Sequence, residues 1–243
     1  MSVPHILQIP EELVNSILAR VLAYPERDWW PPDFDKYFGN ARALLVTCRR
    51  FYRLTIPLLY RRLEITSGGQ GYSPSATEKA TRHLHRTLKE DSSLRRHCFD
   101  LRIHIGDLSR IPPPQSLAID FVTWLTSTQR LKVAGGFNTS VIYSSDGSIT
   151  PDIQDRDGTW GVVDAAVQNM PDLVDLSLTP SASGILSLPQ TIKTVSAAKR
   201  LRTLSLSGVP RTKSGFPWDK ITNVWPLLVF LTYLPRYLSR YQI

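Results

Sequence analysis

Apolar positions fall into two regimes along the chain. Between residues 10 and 22, Leu13, Ile17, Leu18, Val21 and Leu22 recur at helical spacing and predict one amphipathic helix. Pro10 suits the first helical position, where its missing N–H costs nothing. Glu11 and Glu12 follow in the turn where the helix dipole favours carboxylates. Tyr24-Pro25, Trp29-Trp30-Pro31-Pro32 and Gly39-Asn40 are breakers, so residues 23–40 read as a loop. A second helix is predicted over 41–54, with Leu44, Leu45, Cys48, Phe51 and Tyr52 on one face. Pro57 restarts the chain into 58–65, whose end alternates like a strand.

A Gly/Ser-rich loop at 67–75 and a helix over 76–90, with Ala80, Leu84 and Leu88 in line, lead into the second regime. There a short motif, apolar-x-x-Leu-x-apolar, recurs. Its clearest copies are Leu173-Val-Asp-Leu176-Ser-Leu178 and Leu201-Arg-Thr-Leu204-Ser-Leu206, offset by 28 residues. Weaker copies begin at Cys98, Thr128 and Tyr60; a helical stretch at 118–127 precedes one of these, and stretches at 162–169 and 194–199 precede the two clearest copies. A strand with one apolar face cannot bury it alone; stacked strands with a helix behind each build a continuous core. Residues 137–158 form a Gly/Ser/Asp-rich insertion, placed on a rim where lengthening a loop costs little. The aromatic segment 216–243 carries no copy of the motif. It reads either as a cap over the last repeat or, preferred here, as a truncated tail, two clear repeats being too few to end the region cleanly.

Composition narrows the class. With 42% hydrophobic and 21% charged residues the chain can bury a globular core, which excludes a disordered protein. Two cysteines, Cys48 and Cys98, are too few for a secreted disulfide framework and point to a reducing compartment. The first residues lack the basic and apolar regions of a signal peptide. The longest apolar stretch, 227–234, is far short of the about 20 residues that span a membrane. A cytoplasmic or nuclear location and no membrane partner are expected. The net charge of +8 includes the pairs Arg49-Arg50, Arg61-Arg62 and Arg95-Arg96. Acidic residues are interspersed, so solvated helix faces, or a surface suited to an acidic partner, are expected rather than a nucleic-acid track.

Motifs for chemistry are missing. His83 and His85 sit two apart on a predicted helix and face different ways; His97-Cys98 has no second pair at zinc spacing. Gly68-Gly69-Gln70-Gly71 lacks the Lys-Ser/Thr of a phosphate loop, and no Gly-x-Ser-x-Gly elbow occurs. No catalytic residue, metal site or cofactor is expected.

The first 65 residues resemble an F-box. Ile9-Pro10-Glu11-Glu12 is similar to the Leu-Pro-x-Glu opening of that family, Ile17-Leu18 with Leu22 to its Ile-Leu helix, and Leu45 to Leu54 to its closing Val-x-Lys/Cys-x-x-Phe/Trp helix. The gap from Leu22 to Leu44, which holds the tryptophan pair, is longer than the family's loop. The motif-bearing region resembles, more weakly, the leucine-rich repeats of fungal F-box proteins. The resemblance implies an α/β chain with an all-helical F-box at 6–65, a linker loop and helix at 66–97, a short irregular leucine-rich-repeat-like solenoid at 98–215 and a tail at 216–243. It implies no enzyme but a substrate receptor of a cullin–RING ubiquitin ligase. A Skp-family adaptor, and through it a cullin, would dock on Pro10, Leu13, Ile17, Leu18, Leu45, Val46 and Phe51, and an unknown protein substrate on the repeats. The alternatives are a repeat-like protein-binding scaffold outside any ligase, a hydrolase or transferase using the 137–158 loop, and nucleic-acid binding through the arginine pairs.

Overall fold

Pro10 caps the first helix rather than opening it. Its backbone is extended (φ −52°, ψ 142°), and its carbonyl accepts from the N–H groups of Leu13 and Val14 at the start of α1 (Glu11–Val21). This computed structural model describes residues 9–22, 34–67, 76–105, 115–137, 140–143, 149–152, 158–180, 186, 188–209 and 230–235. The tryptophan pair at 29–30, the loop 68–75 and much of the 137–158 and 216–243 segments lie outside them. The chain divides into two compact units, Met1–Arg62 and Leu63–Ile243.

The first unit is helical. Instead of one helix over 41–54 there are two, α2 (Phe34–Thr47) and α3 (Arg49–Leu59). They are divided at Cys48, whose extended backbone (φ −164°, ψ 165°) makes it the N-cap of α3. Its carbonyl accepts from Tyr52 N–H at 2.9 Å. Pro57 does not restart the chain: α3 runs through it, and Tyr60 N–H to Ile56 O at 3.1 Å closes the last turn. Val14 and Leu18 of α1 and Leu54 of α3 form a small core, flanked by Ile9, Leu44, Phe51 and Leu58. Across it Arg53 pairs with Glu11, and Arg50 donates to the carbonyl of Ile9.

In the second unit, strands and helices alternate: β1 (Arg62–Ser67), α4 (Ala76–Glu90), β2 (Asp100–Ile105), α5 (Gln115–Trp124), β3 (Arg130–Gly135), the strands β4 (Ser140–Tyr143) and β5 (Ile149–Asp152), α6 (Thr159–Asn169), β6 (Asp175–Pro180), α7 (Leu188–Val195), β7 (Thr203–Val209) and β8 (Phe230–Pro235). β4 and β5 make an antiparallel pair of their own inside the 137–158 insertion. The other strands form one sheet in the order β1-β2-β3-β6-β7-β8, with parallel pairing from β2 to β8. The segment read as a tail thus contributes β8 to this sheet.

β3, β6 and β7 start in the same way. The carbonyls of Phe99, Gln129 and Val174 each accept from two successive N–H groups at the start of the next strand, at 2.8–3.0 Å. That junction fixes register. Leu101, Leu131, Leu176 and Leu204 form one row across four strands; Ile103, Val133, Leu178 and Leu206 form the next. Both rows are buried. α5 packs on α6, α6 on α7 and α4 on α5, so the helices form a single layer in chain order. Same-handed crossovers in a sheet whose order follows the chain leave every helix on one face. Phe121 and Val122 of α5, Leu125 just after it, and Val163, Ala166 and Val167 of α6 supply buried side chains of this layer.

The expected all-helical F-box followed by a leucine-rich-repeat solenoid is therefore corrected to an α/β fold with a parallel sheet and alternating helices. The motif misled for a physical reason. Its first position, occupied by Cys98, Thr128, Leu173 and Leu201, is a buried turn residue whose N–H bonds back to the preceding helical segment, at 3.1–3.4 Å. The next two apolar positions are the buried face of the strand. Any parallel strand entered from a helix and covered on one side satisfies that pattern.

Candidate functional site

On α1 the apolar residues outnumber the positions that the small core can cover. Val14 and Leu18, with Leu22 just beyond the helix, turn inward and are buried. Leu13, Ile17 and Val21, spaced four apart and hence on one face, remain 57%, 54% and 45% exposed. The seven residues expected to dock an adaptor are thereby divided. Leu18 belongs to the core and Phe51 packs against it; Leu45 is half-buried. Pro10 is an exposed cap, while Leu13, Ile17 and Val46 (77% exposed) are open to solvent. Val21 completes the stripe and was absent from that set, because periodicity alone assigns it to the same apolar band as the buried residues. Arg20 lies beside the stripe on α1, and Arg42, Arg49 and Arg61 are also exposed in this unit. A shallow cleft of about 470 Å³ lies between α1 and α3, lined by Asn15, Ser16 and Ala19 on one side and by Arg53, Pro57 and Arg61 on the other.

The second unit has a different exposed surface. Through the middle of β2, β3 and β6 burial alternates, so the positions between the apolar rows lie on the face away from the helices. On the first row of that face Arg130 stands between Asp100 and Asp175, its guanidinium 3.9 Å and 3.5 Å from their carboxylates. Burial pushes the Asp175 carboxyl above its ordinary value, against the opposing pull of Arg130, and the charge of Asp100 adds to the rise. On a later row His104 pairs with Glu64 of β1 at 3.2 Å. The hydroxyls of Ser177, Thr179, Thr203, Ser205 and Ser207 continue this polar face over β6 and β7. The register that gathers these residues is set by crossovers of unequal length, which periodicity does not reveal.

Elsewhere the polar groups hold the layers together. His85 of α4 bonds Asp120 of α5 at 2.8 Å and stacks on Trp124, over which Arg95 also lies. Cys98, at the turn before β2, is buried, and loss of hydration pushes its thiol up to about 12. Among the described residues no group of His, Cys, Asp and Glu could hold a metal ion, and no helix is long and apolar enough to cross a membrane.

No family model and no curated protein matches this chain. Among solved structures it is similar to a sugar phosphate isomerase/epimerase from Parabacteroides distasonis. The two share 8% identity over 79% of this chain and 70% of that one, with a TM-score of 0.32. Membership of the F-box family, a ubiquitin-ligase receptor role, the repeat-scaffold alternative and the expectation that the chain is not an enzyme are accordingly withdrawn. No family model supports the first three.

Proposed function

We propose that the first unit is a protein-docking module whose α1 stripe seats an apolar partner helix flanked by acidic residues. The observation that carries this reading is the line Leu13–Ile17–Val21, three large side chains about half exposed on one helical face. Apolar surface removed from water contributes about 25 cal/mol per Å², and an aligned triplet at helical spacing is what a helix-on-helix contact needs. The chemistry of the partner follows from charge. Arg20, Arg42, Arg49 and Arg61 are exposed, whereas Glu11 is paired with Arg53. Acidic flanks on the partner would speed encounter and set orientation.

The test uses two amphipathic probe peptides with the same leucine face, one with glutamates and one with lysines opposite, titrated into the full chain and followed by fluorescence anisotropy. The glutamate peptide should bind more tightly, and Ile17→Asp should weaken it about tenfold or more. Equal binding of both peptides, or an Ile17→Asp variant indistinguishable from wild type, would refute the proposal. A wild-type dimer in sedimentation that Ile17→Asp dissolves would refute it too, by making a second copy the occupant of the stripe.

A further inference from the structure

Helix α4 carries its charge in a line. Lys79, Arg82, Arg86 and Lys89 follow one another at intervals of three, four and three residues, which sets them along one side of the helix. All four are exposed, as is His83 beside them. Arg82 pairs with Glu78 at 2.7 Å, whereas among the described residues Lys79, Arg86 and Lys89 have no such partner. Glu90, at the helix end, is the one exposed carboxylate among the described side chains of α4. The charge is local: α5 and α6, which follow in the helix layer, contain no Lys or Arg, and α7 contains Lys193 alone. The other side of α4 holds the row in place. Leu88 is wholly buried, the Thr81 hydroxyl accepts from Thr66 N–H of β1 at 3.0 Å, and His85 bonds Asp120 of α5 at 2.8 Å. Like charges three and four residues apart oppose one another on a helix, so an anion laid along the row stabilises it.

We infer that this face of α4 docks on the phosphate backbone of double-stranded DNA. From Lys79 to Lys89 the row is about 15 Å long at 1.5 Å per residue. Over that length a duplex presents about nine phosphate charges. The composition of the face selects the partner. Among its described side chains Ala80 is the one exposed apolar residue. The face therefore lacks the apolar core on which a protein interface rests and the aromatic platforms on which single strands stack. Nor does it offer a free hydroxyl or amide to read base edges, or the 2′-hydroxyls by which RNA duplexes are largely recognised. The Thr87 hydroxyl donates to the carbonyl of His83 at 3.1 Å. What remains is a row of cations on a fixed helix, the chemistry of sequence-independent backbone contact.

The experiment is fluorescence anisotropy of a short labelled DNA duplex of arbitrary sequence, titrated with the full chain over a series of salt concentrations. Wild type should bind, and its affinity should fall about 40-fold or more between about 50 and 200 mM salt, as three or more phosphate contacts require. Arg86→Gln and Lys89→Gln should each flatten the slope of log affinity against log salt by about one. Lys193→Gln on α7, an exposed cation away from the row, should leave it unchanged. Thermal melts matching wild type show that the variants are folded. An RNA duplex of the same sequence should compete no better than unlabelled DNA, and a poly-glutamate peptide of equal charge should compete worse. No binding by folded wild type, an unchanged slope in both α4 variants, or an equal change in Lys193→Gln would overturn the assignment. So would better competition by the RNA, which makes RNA the partner, or equal competition by the peptide, which makes it an acidic protein.

Discussion

Arg130 Nε lies 3.5 Å from Asp175 Oδ2, and the two residues are also direct register partners across β3 and β6. The arginine therefore holds a carboxylate whose burial works against its charge. Because the Asp175 pKa is raised in the folded protein, the native state binds its proton more tightly than the unfolded chain does. Stability on this account falls as pH rises from the unfolded value near 3.8 through the folded one. Removing the opposing charge with Arg130→Gln should raise that pKa further and extend the falling window upward. Urea denaturation from pH 3 to 7 should show a steeper loss for Arg130→Gln than for wild type, and a shallower one for Asp175→Asn.

The row Leu101, Leu131, Leu176 and Leu204 is buried across four strands. Leu176 sits inside it with neighbours on both sides and the helix layer behind. Leu176→Ala should cost about 2–5 kcal/mol of unfolding free energy. Ser177→Ala, one residue along on the open face, should change stability by less than about 0.5 kcal/mol. Equal losses in chemical denaturation would mean that both sides of β6 are packed.

Two glycines should respond oppositely. A Cβ on Gly135 would meet Ile105 Cβ at 2.9 Å and its carbonyl oxygen at 3.2 Å, so Gly135→Ala should destabilise by about 1–3 kcal/mol. A Cβ on Gly161 meets nothing within 4 Å, and Gly161 lies inside α6. Gly161→Ala should therefore stabilise, by about 0.5–1 kcal/mol. Thermal melts of the two variants read both signs.

Cys98 is wholly buried with its thiol held far above the pH at which thiolates form, whereas Cys48 is half-buried at a helix break. In a Cys48→Ala background, Cys98 should resist a thiol reagent at pH 8 until the protein unfolds. The labelling rate should rise together with the unfolded fraction across a denaturant series. Fast labelling of the native variant would show that the β2 region opens locally.

Much of the local structure is legible in the residues themselves. Leu13 to Leu22 mark α1 to within a residue, and the Leu-x-Leu pairs mark β6 and β7. Three features are not. The break at Cys48 follows no Gly or Pro; it is a change of backbone direction between two stretches of similar helical pattern. β8 lies among prolines and aromatics, and what makes it a strand is the edge of β7, which no local window contains. The apolar band of α1 is visible, but the division between Leu18 inside and Ile17 outside depends on how little of the helix α2 and α3 can cover. The open-face cluster is hidden for a related reason: Asp100, Arg130 and Asp175 are 30 and 45 positions apart and meet only through register.

The strand order has a consequence for how the second unit assembles. From β2 to β3, and again from β6 through β7 to β8, each strand joins an edge presented by the strand just before it in the chain; the step from β3 to β6 skips only the β4–β5 pair. No strand must wait for a distant later segment to be inserted between it and its neighbour. The sheet can therefore lengthen in the direction of synthesis, one strand at a time, with each loop closed over a few tens of residues. At every intermediate stage the newest strand presents an open edge, and the next strand to emerge is the piece that covers it.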